Sequence, residues 1–374
     1  MKRLVFLTGT RADFGKLRSL IEAAHNSKNI EVHIFVTGMH LQTKYGYTVN
    51  EIEKLGYQNI FKFINTSNSE NMDQALAKTV MGLSDYIKEI QPDMICVHGD
   101  RVEALAGSIV GALNNIIVAH IEGGEVSGTI DELIRHSVSK LSHLHLVAND
   151  DAKRRLVQMG EGDESVHVIG SPDIDIMNSD SLPDLDNVLR YYEIDFSNYA
   201  VLLFHPVTTE REKIVEQANT LVSSVIDSGL NFIVIYPNND NGSDEILREY
   251  NRFYGLSNFR VFPSIRFESF LVLLKNASFV IGNSSAGIRE APYYAVPTIN
   301  IGTRQKNRAT DREIIHCNFE EKAINEAISH ANNMMRDVQR DYGRGSSDKK
   351  FMDLLESPDI WNTSKQKEFK DITI

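Results

Sequence analysis

The chain has 374 residues, 42% hydrophobic and 24% charged, with a formal net charge of −12. This composition is typical of a globular protein, and the length favours two domains over one. The acidic balance argues against bulk nucleic-acid binding, and no apolar run reaches the ~18–20 residues of a membrane span. Two cysteines, Cys96 and Cys317, fit a reducing compartment. We therefore expect a cytoplasmic protein with neither nucleic acid nor membrane as a partner.

Short apolar runs alternate with helical patterns in the first half of the chain. Strands are predicted at 4–8, 32–36, 94–97, 116–119, 144–148 and 166–169, a loop at 9–13 with a helix after it, and another helix at 72–90. The first run is too short for a signal peptide and is followed at once by charged residues, so it is interpreted as a strand. Alternation of this kind predicts a parallel sheet with right-handed crossovers.

The same alternation restarts after a polar stretch at 178–187. Strands are predicted at 200–204, 232–236, 260–262, 279–281 and 297–301. We predict an α/β protein of two doubly wound, Rossmann-like domains facing each other across a cleft. The predicted domains span 1–172 and 173–357, and a C-terminal helix at 358–374 is expected to pack back on the first domain.

Acidic clusters follow two of the apolar runs. Asp100 comes just after the run at 94–97, Glu122 after the run at 116–119, and Asp131 a few residues later. Ligands of open parallel sheets bind beyond the carboxyl ends of the strands, so these side chains are expected to line one crevice. Carboxylates that share a pocket can hold different protonation states, as acid/base catalysis requires. The alternative for Asp100 and Asp131 is a structural role in capping the next helix.

Two strand-to-helix connections are candidates for binding an anion. In the first, Arg11 and Lys16 lie where a helix N-terminus also favours negative charge. This segment is neither a Walker A loop nor a G-x-G-x-x-G fingerprint, which counts against ATPase and NAD-dependent enzymes. An ordinary turn with solvated charges is the alternative interpretation.

The second connection, at 281–290, joins a strand to a helix through small residues. Asn283, Ser284 or Ser285 can cap the helix, and their small side chains let a diphosphate approach backbone N–H groups. Glu290 follows at a distance suited to ribose hydroxyls. A plain helix cap with no ligand is the alternative.

Histidines and arginines elsewhere are weighed by their positions. His143 and His145 share one face of a strand without further ligands at convincing spacing, so hydrogen bonding is favoured over metal binding. His205 follows a strand where the second domain would face the cleft. Arg304 and Arg308 follow the last predicted strand and are candidates for phosphate contact. Cys96 is interpreted as a small buried residue and not as a nucleophile.

Taken together, these motifs resemble the hydrolysing UDP-N-acetylglucosamine 2-epimerases of sialic-acid biosynthesis. The resemblance rests on TGTRAD at 8–13, VTGMH at 36–40, HGDR at 98–101, HIEGGEVSGTID at 120–131, HPVTT at 205–209, GNSS at 282–285 and IGTRQ at 301–305. It implies a two-domain fold like that of GT-B glycosyltransferases. It also implies conversion of UDP-N-acetylglucosamine and water into N-acetylmannosamine and UDP.

The resemblance implies a two-step mechanism. Anti elimination removes the C2 proton and expels UDP, giving 2-acetamidoglucal, and water then adds with inversion at C2. Asp100, Glu122 and Asp131 would share the acid/base roles, in an order that the sequence leaves open. The family match assigns the rest of the site, with no metal or cofactor: His205, Arg11, Arg101 and Arg304 on the diphosphate, Ser284 and Ser285 on phosphate or sugar, Glu290 on the ribose, and the Asn238 region on the nucleotide.

Several alternatives stay open. Met39 stands where non-hydrolysing relatives tend to carry Gln, which weakens any expectation of their activator-sugar site. Close relatives act on UDP-N,N′-diacetylbacillosamine in legionaminic-acid biosynthesis, and the motifs mostly concern UDP and the C1–C2 region that both sugars share. Two further hypotheses are a GT-B glycosyltransferase and a catalytically silent UDP-sugar-binding regulator. A homodimer is expected from the family alone.

Overall fold

The chain forms two compact units. The computed structural model describes residues 1–66, 71–127, 129–305, 314–335 and 337–371. The first unit comprises Met1–Glu125, Asp131–Ser179 and Asp341–Ile374, and the second comprises Val126–Ile130 and Asp180–Arg340. The boundaries predicted from the sequence, after residues 172 and 357, fall inside the ranges that belong to the first unit.

The first unit is built on one parallel sheet. Its strands are β1 (Lys2–Thr8), β2 (Ile30–Val36), β3 (Asn59–Lys62), β4 (Met94–His98), β5 (Ile117–Ile121), β6 (Leu144–Val147) and β7 (Val166–Val168). Within the described residues these seven strands lie in the order β3-β2-β1-β4-β5-β6-β7, and all neighbouring pairs are parallel. The chain therefore winds outward in both directions from β1 and β4.

The second unit repeats this arrangement. Its strands are β8 (Ala200–Leu203), β9 (Phe232–Ile235), β10 (Phe259–Phe262), β11 (Val280–Gly282), β12 (Thr298–Ile301) and β13 (Ile315–Cys317). In the part of the chain that is described, the six strands are parallel in the order β10-β9-β8-β11-β12-β13. Both sheets thus have the doubly wound order, with switch points between β1 and β4 and between β8 and β11.

Helices connect the strands. The α-helices are α1 (Arg11–His25), α2 (Val49–Glu53), α3 (Met72–Ile90), α4 (Val102–Leu113), α5 (Ile130–Leu141), α6 (Asp150–Gln158), α7 (Pro172–Met177), α8 (Leu185–Tyr191), α9 (Ile214–Asp227), α10 (Ser243–Tyr250), α11 (Phe267–Lys275), α12 (Glu290–Tyr293), α13 (Glu321–Ala331), α14 (Ser347–Glu356) and α15 (Pro358–Trp361). Short 3₁₀ helices occupy Gly38–Leu41, Thr43–Tyr45, Asp163–Ser165, Thr208–Lys213, Asn251–Phe253 and Ser285–Gly287. Within the described residues, we find no helix that could span a membrane.

Helix α1 begins earlier than the sequence predicts. Thr10 caps it, since its hydroxyl oxygen accepts the N–H of Asp13 at 3.1 Å. Leu17, Leu20 and Ile21 then pack into the core at helical spacing. The prediction of a loop over 9–13 is therefore wrong at its end, and Arg11 stands in the first turn of a helix.

Two edge strands were not predicted from the sequence. β3 is only half-buried to exposed along its four residues, and β13 has three residues with none fully buried. The predictions rest on apolar runs, which buried parallel strands have and these edge strands lack.

The C-terminal segment belongs to the core of the first unit. Phe351, Leu355 and Ile360 are buried there, and the ring of Phe351 meets that of Phe6 edge-on with centroids 6.2 Å apart. The predicted helix at 358–374 is wrong in extent: α15 ends at Trp361, and the described residues beyond it are not helical. The polar and charged sequence after Trp361 offers no apolar face for a longer helix.

Candidate active site

Strand order brings together the polar residues that follow β1, β4 and β5. These strands are adjacent in the first sheet and parallel, so their carboxyl ends share one edge. Asp13 lies in the first turn after β1, His98 ends β4, and Glu122 follows β5 directly. The first unit therefore gathers titratable groups at its switch point, the position where doubly wound folds bind ligands.

His98 lies between two carboxylates. Its Nδ1 is 2.8 Å from Oδ1 of Asp13, and its Nε2 is 3.0 Å from Oε2 of Glu122. The other oxygen of Asp13 accepts the backbone N–H of Gly9 at 3.1 Å, which fixes its carboxylate. Burial disfavours the imidazolium, but the charge of Glu122 and the hydrogen bonds with Asp13 and Glu122 outweigh it and raise the pKa of His98 to about 9.

Both carboxylate oxygens of Glu122 have hydrogen-bond partners. Its side chain is 4% exposed, Oε2 faces His98, and Oε1 accepts the hydroxyl of Ser171. The residue has φ +62°, a left-handed conformation that costs a non-glycine residue free energy. Gly124, two residues later, also has a positive φ, +72°, so the chain turns sharply directly after β5.

Arg135 of α5 joins Asp100 to Glu122. Its guanidinium donates to the carboxylate of Asp100 and to the backbone carbonyl of Glu122. The Arg135 side chain is 3% exposed, whereas that of Asp100 is 22% exposed. Asp131 lies one turn before Arg135 and hence on the same face of α5. Two of the three predicted acids are thus bridged by one cation, and the third shares its helix face.

Neither Asp100 nor Asp131 occupies the N-cap position of a helix. Arg101, not Asp100, occupies the N-cap position of α4, and Asp131 stands inside α5 after Ile130. The capping alternative, which would give these carboxylates a purely structural role, therefore loses its geometric basis.

The predicted anion-binding cations of the first unit pair with carboxylates. Arg11 donates to Glu51. Lys16 lies 3.2 Å from Oδ2 of the buried Asp173. The remaining predicted cation, Arg101, donates from Nε to Glu103 at 3.3 Å. All three lie near the carboxyl ends of strands. Arg11 and Lys16 lie in the first two turns of α1, and Arg101 directly precedes α4.

His120 supports the loop between His98 and Asp100. Its Nε2 is 2.8 Å from the carbonyl oxygen of Gly99, which can only accept, so this nitrogen carries the proton. Nδ1 then accepts from the hydroxyl of Ser139 at 3.0 Å. Burial lowers the pKa of His120 to about 3, which keeps the ring neutral. Its role is to fix the Gly99 peptide.

His143 and His145 make protein hydrogen bonds, as the sequence predicts. Nδ1 of His143 accepts the N–H of Val118 at 3.0 Å, and its Nε2 donates to the carbonyl of Lys365 at 3.1 Å. Nε2 of His145 is 2.9 Å from Oε2 of Glu161. Among the residues that the structure covers, no group of three or more His, Cys, Asp or Glu is placed to hold a metal ion.

Cys96 is fully buried in β4, and burial raises the pKa of its thiol. This environment disfavours the thiolate that a nucleophile needs. The interpretation of Cys96 as a small core residue is confirmed.

The second unit has its own cluster at its switch point. His205 and Asn283 follow the neighbouring strands β8 and β11, and they exchange two hydrogen bonds: His205 N–H to Oδ1 of Asn283 at 2.7 Å, and Nδ2 of Asn283 to the His205 carbonyl at 2.9 Å. The N–H of Asn238 donates to Nδ1 of His205 at 3.0 Å. A neutral His205 therefore carries its proton on Nε2.

The turn after β11 depends on a close backbone approach. Gly282 has φ +135°, and a Cβ there would lie 2.0 Å from the carbonyl oxygen of Leu203. Ser284 then caps the 3₁₀ helix Ser285–Gly287 by accepting the N–H of Ala286 at 3.3 Å. Glu290 is buried and begins the separate short helix α12. The helix predicted after this strand is therefore divided into a 3₁₀ helix and a separate short α-helix.

Arg304 lies after β12, and its Nη1 is 3.5 Å from the carbonyl oxygen of Asn283. Gln305 donates to the same oxygen at 2.9 Å. Arg304 is thus associated with the cluster of the second unit, whereas Arg308 lies outside the described residues.

Four residues of the first cluster are absent from the predicted site: Asp13, His98, Arg135 and Ser171. Asp13 and His98 could have been predicted from the sequence, because both follow or end strands that the doubly wound order places side by side. Arg135 lies one helical turn from Asp131, which is a weaker signal. Ser171 carries no local signal, since only the tertiary fold brings it to Glu122.

The family model for UDP-N-acetylglucosamine 2-epimerase matches residues 22–356. The chain is 49% identical to the UDP-N-acetylglucosamine 2-epimerase of Neisseria meningitidis serogroup B, over 100% of both chains. It is 35% identical to the polysialic acid biosynthesis protein P7 of Escherichia coli, over 88% of this chain and 86% of that one. It is 32% identical to a hydrolysing UDP-N,N′-diacetylbacillosamine 2-epimerase of Legionella pneumophila, over 96% of each.

Solved structures agree on the fold. The crystal structure of a UDP-GlcNAc 2-epimerase from Neisseria meningitidis bound to UDP-GlcNAc superposes with a TM-score of 0.80, covering 95% of this chain and 99% of that one at 18% identity. The predicted class, α/β with two doubly wound domains of the GT-B-like kind, is confirmed. The resemblance drawn from the motifs is confirmed as well: the chain belongs to the UDP-N-acetylglucosamine 2-epimerase family.

Proposed function

We propose that this enzyme converts UDP-N-acetylglucosamine and water into N-acetylmannosamine and UDP for sialic-acid biosynthesis. The observation that carries the proposal is the 49% identity, over the full length of both chains, to a UDP-N-acetylglucosamine 2-epimerase. The 35% identity to a polysialic acid biosynthesis protein supports the pathway.

The proposed chemistry is elimination followed by hydration. A base removes the C2 proton while UDP leaves from C1, and water then adds to the resulting 2-acetamidoglucal. Because C2 inverts, the proton must return on the face opposite to the one from which it left. Two different protein groups are therefore needed at C2, and a third can activate water at C1.

We assign these roles jointly to Asp100, Glu122 and Asp131. The support is geometric: Arg135 contacts both Asp100 and the backbone of Glu122, and Asp131 shares its helix face. The surroundings of the first two differ, since Asp100 pairs with a guanidinium and Glu122 with His98 and Ser171. Carboxylates in different environments can divide acid and base roles between them.

We propose that UDP is held mainly by the second unit. The candidates follow the carboxyl ends of β8, β9, β11 and β12, as expected for a nucleotide site in this fold. They are His205, Asn238, Ser284, Ser285, Glu290 and Arg304. Such donors can stabilise the leaving diphosphate directly, so we expect turnover to persist in EDTA.

The proposal is tested by incubating the enzyme with UDP-N-acetylglucosamine, without metal or acceptor, and identifying both products by NMR and chromatography. We expect UDP and N-acetylmannosamine in equal amounts. UDP with N-acetylglucosamine would instead indicate a glycosyltransferase that leaks to water. Binding of UDP-sugars without any turnover would favour a regulator.

A second candidate substrate is UDP-N,N′-diacetylbacillosamine, because the chain is 32% identical to an enzyme with that substrate in its name. The identity of 49% to the UDP-N-acetylglucosamine enzyme favours the first candidate. Measuring kcat/KM for both sugars side by side decides between them. A higher value for the diacetylated sugar would reverse our assignment.

We also propose a cytoplasmic homodimer. Both cysteines are free thiols, which suits a reducing compartment. Light scattering at several concentrations tests the dimer, and a monomeric mass throughout would refute it.

A further inference from the structure

We propose that Asp13, His98 and Glu122 form a proton-sharing triad that supplies the proton to C2 of the glycal. In it, Glu122 is the donor, and His98 and Asp13 are positioning residues that reload it. The inference rests on the proposed function and deepens it, because it assigns one of the three acid/base roles.

The two hydrogen bonds of the His98 ring require one proton more than a neutral imidazole and two ionised carboxylates would carry. Both ring nitrogens of His98 face carboxylate oxygens, at 2.8 and 3.0 Å. An ionised carboxylate only accepts, and a neutral imidazole has a single N–H. Either His98 is an imidazolium or one of the two acids is protonated, so the triad stores a proton in both descriptions.

That proton has a short path to Glu122. The stored proton first passes from Nε2 of His98 to Oε2 of Glu122, which leaves a neutral ring whose Nδ1–H still donates to Asp13. When Glu122 then gives a proton to carbon, its O–H bond breaks and its carboxylate becomes ionised. Solvent later returns one proton to the ring, so the cycle balances. Asp13 fixes the tautomer, as a carboxylate does for the histidine of a catalytic triad.

The surroundings allow this exchange without strain. Ser171 donates to the other oxygen of Glu122, so the carboxyl group keeps one orientation in both protonation states. The charged or titratable groups that face His98 are Asp13 from α1, Glu122 after β5, and His120 from β5, whose ring is neutral. Asp100 lies with Arg135, on a separate ion pair, and is left for a different role.

The test separates UDP release from formation of the sugar. His98→Gln and Asp13→Asn are compared with wild type and with His143→Gln, a buried histidine that bonds only backbone groups. UDP, 2-acetamidoglucal and N-acetylmannosamine are followed by NMR from pH 6 to 10. We expect the first two variants to lose N-acetylmannosamine formation by on the order of 10²–10⁴-fold. UDP release falls less, so 2-acetamidoglucal accumulates, and His143→Gln resembles wild type.

The pH profile provides an independent readout. In wild type, formation of N-acetylmannosamine declines as pH rises through about 9, where the ring of His98 loses its extra proton. In His98→Gln this decline moves to lower pH, which a merely structural defect would not cause.

Three results overturn the triad. They are wild-type kinetics in His98→Gln, parallel loss of UDP and sugar in both variants without glycal, and an unchanged pH profile. If His98→Gln is misfolded by circular dichroism, Asp13→Asn, a change that keeps the shape of the side chain in the first turn of α1, becomes the deciding variant. Absence of N-acetylmannosamine with wild type would instead refute the proposed function itself.

Discussion

Glu122 is the most constrained carboxylate of the first cluster. It combines burial, a left-handed backbone and hydrogen bonds to both oxygens. A strained backbone conformation of this kind is typical of functional sites, where the fold fixes a group in place.

We predict that Glu122→Gln loses turnover by on the order of 10²–10⁴-fold, because the amide cannot exchange a proton. UDP affinity stays within a few-fold, since the proposed UDP contacts lie on other residues. Steady-state kinetics and calorimetric titration with UDP measure the two effects. Asp85→Asn, an exposed carboxylate of the first unit, is the matched control. Turnover like wild type would remove Glu122 from the mechanism.

His98 also makes a prediction for stability. Its pKa in the folded protein, about 9, lies above the ordinary value of 6.5. A raised pKa contributes stability that is complete below the unfolded value and is lost as pH rises through the folded value. We therefore expect this contribution to the free energy of unfolding to decline between about pH 6.5 and 9. Chemical denaturation across that range should give a steeper decline in wild type than in His98→Gln. Equal slopes would contradict the assignment.

Several residues of the candidate site were predicted from the sequence alone. Asp100, Glu122, His205 and Ser284 were predicted because polar residues after apolar runs mark the carboxyl ends of strands. Ser171 and the exchange of hydrogen bonds between His205 and Asn283 were not predicted, because they depend on tertiary proximity.

At the scale of elements, the turn after β11 depends on a backbone that only glycine tolerates. A Cβ on Gly282 would overlap the carbonyl of Leu203 at 2.0 Å, and φ is +135°. Gly229 also has positive φ, +65°, but nothing lies within 4 Å of its added Cβ.

We predict that Gly229→Ala costs about 1–2 kcal/mol of unfolding free energy, the usual penalty for a left-handed alanine. Gly282→Ala should cost clearly more, because it adds a steric overlap that the backbone of β8 must relieve. It should also weaken UDP binding, since it displaces the segment with Asn283 and Ser284. Thermal denaturation and UDP titration measure both effects. Equal costs for the two variants would refute this account of the turn.

Helix α5 is anchored at its C-terminal end by the tail of the chain. Nζ of Lys367 donates to the carbonyls of Ser142 at 2.7 Å and Lys140 at 3.0 Å, and it pairs with the buried Glu161. Cations are favourable at helix C-termini, and here one side chain also satisfies a buried acid.

We predict that Lys367→Met destabilises the protein by about 1–3 kcal/mol, because it leaves buried acceptors with fewer donors. Lys365→Met is the matched control, since Lys365 contributes its backbone carbonyl to His143. Limited proteolysis of the tail and thermal denaturation should distinguish the two variants. Similar behaviour of both would show that Lys367 does not anchor the tail.

The elements that were predicted and those that were missed differ in burial. The helix at 72–90 and the buried strands were predicted to within a few residues, because their apolar patterns are continuous. The edge strands β3 and β13 lack such a pattern, and α15 is too short to show a helical period.

At the scale of the whole molecule, the chain returns to its first unit after completing the second. Phe351 of α14 is 1% exposed and packs on Phe6 of β1. The backbone N–H of Ser171 also donates to the carbonyl of Tyr342 at 2.9 Å, so the returning segment adjoins the residue that holds Glu122. The C-terminal segment is thus part of the unit that carries the candidate acids.

We predict that Phe351→Ala costs about 3–5 kcal/mol, the usual range for truncating a buried aromatic side chain. The loss should fall on the first unit, so that calorimetry or hydrogen exchange finds its protection reduced while that of the second unit persists. Phe369→Ala, at a side chain 90% exposed, should have almost no effect. Equal loss of protection in both units would contradict the division into two compact units.

The proposed reaction removes a proton from C2 of the sugar and returns one to the same carbon. The most direct measurement is proton NMR of a reaction with UDP-N-acetylglucosamine in D₂O. We expect N-acetylmannosamine with one deuterium at C2, formed together with free UDP. N-acetylmannosamine with its original hydrogen at C2, or N-acetylglucosamine as the released sugar, would contradict it.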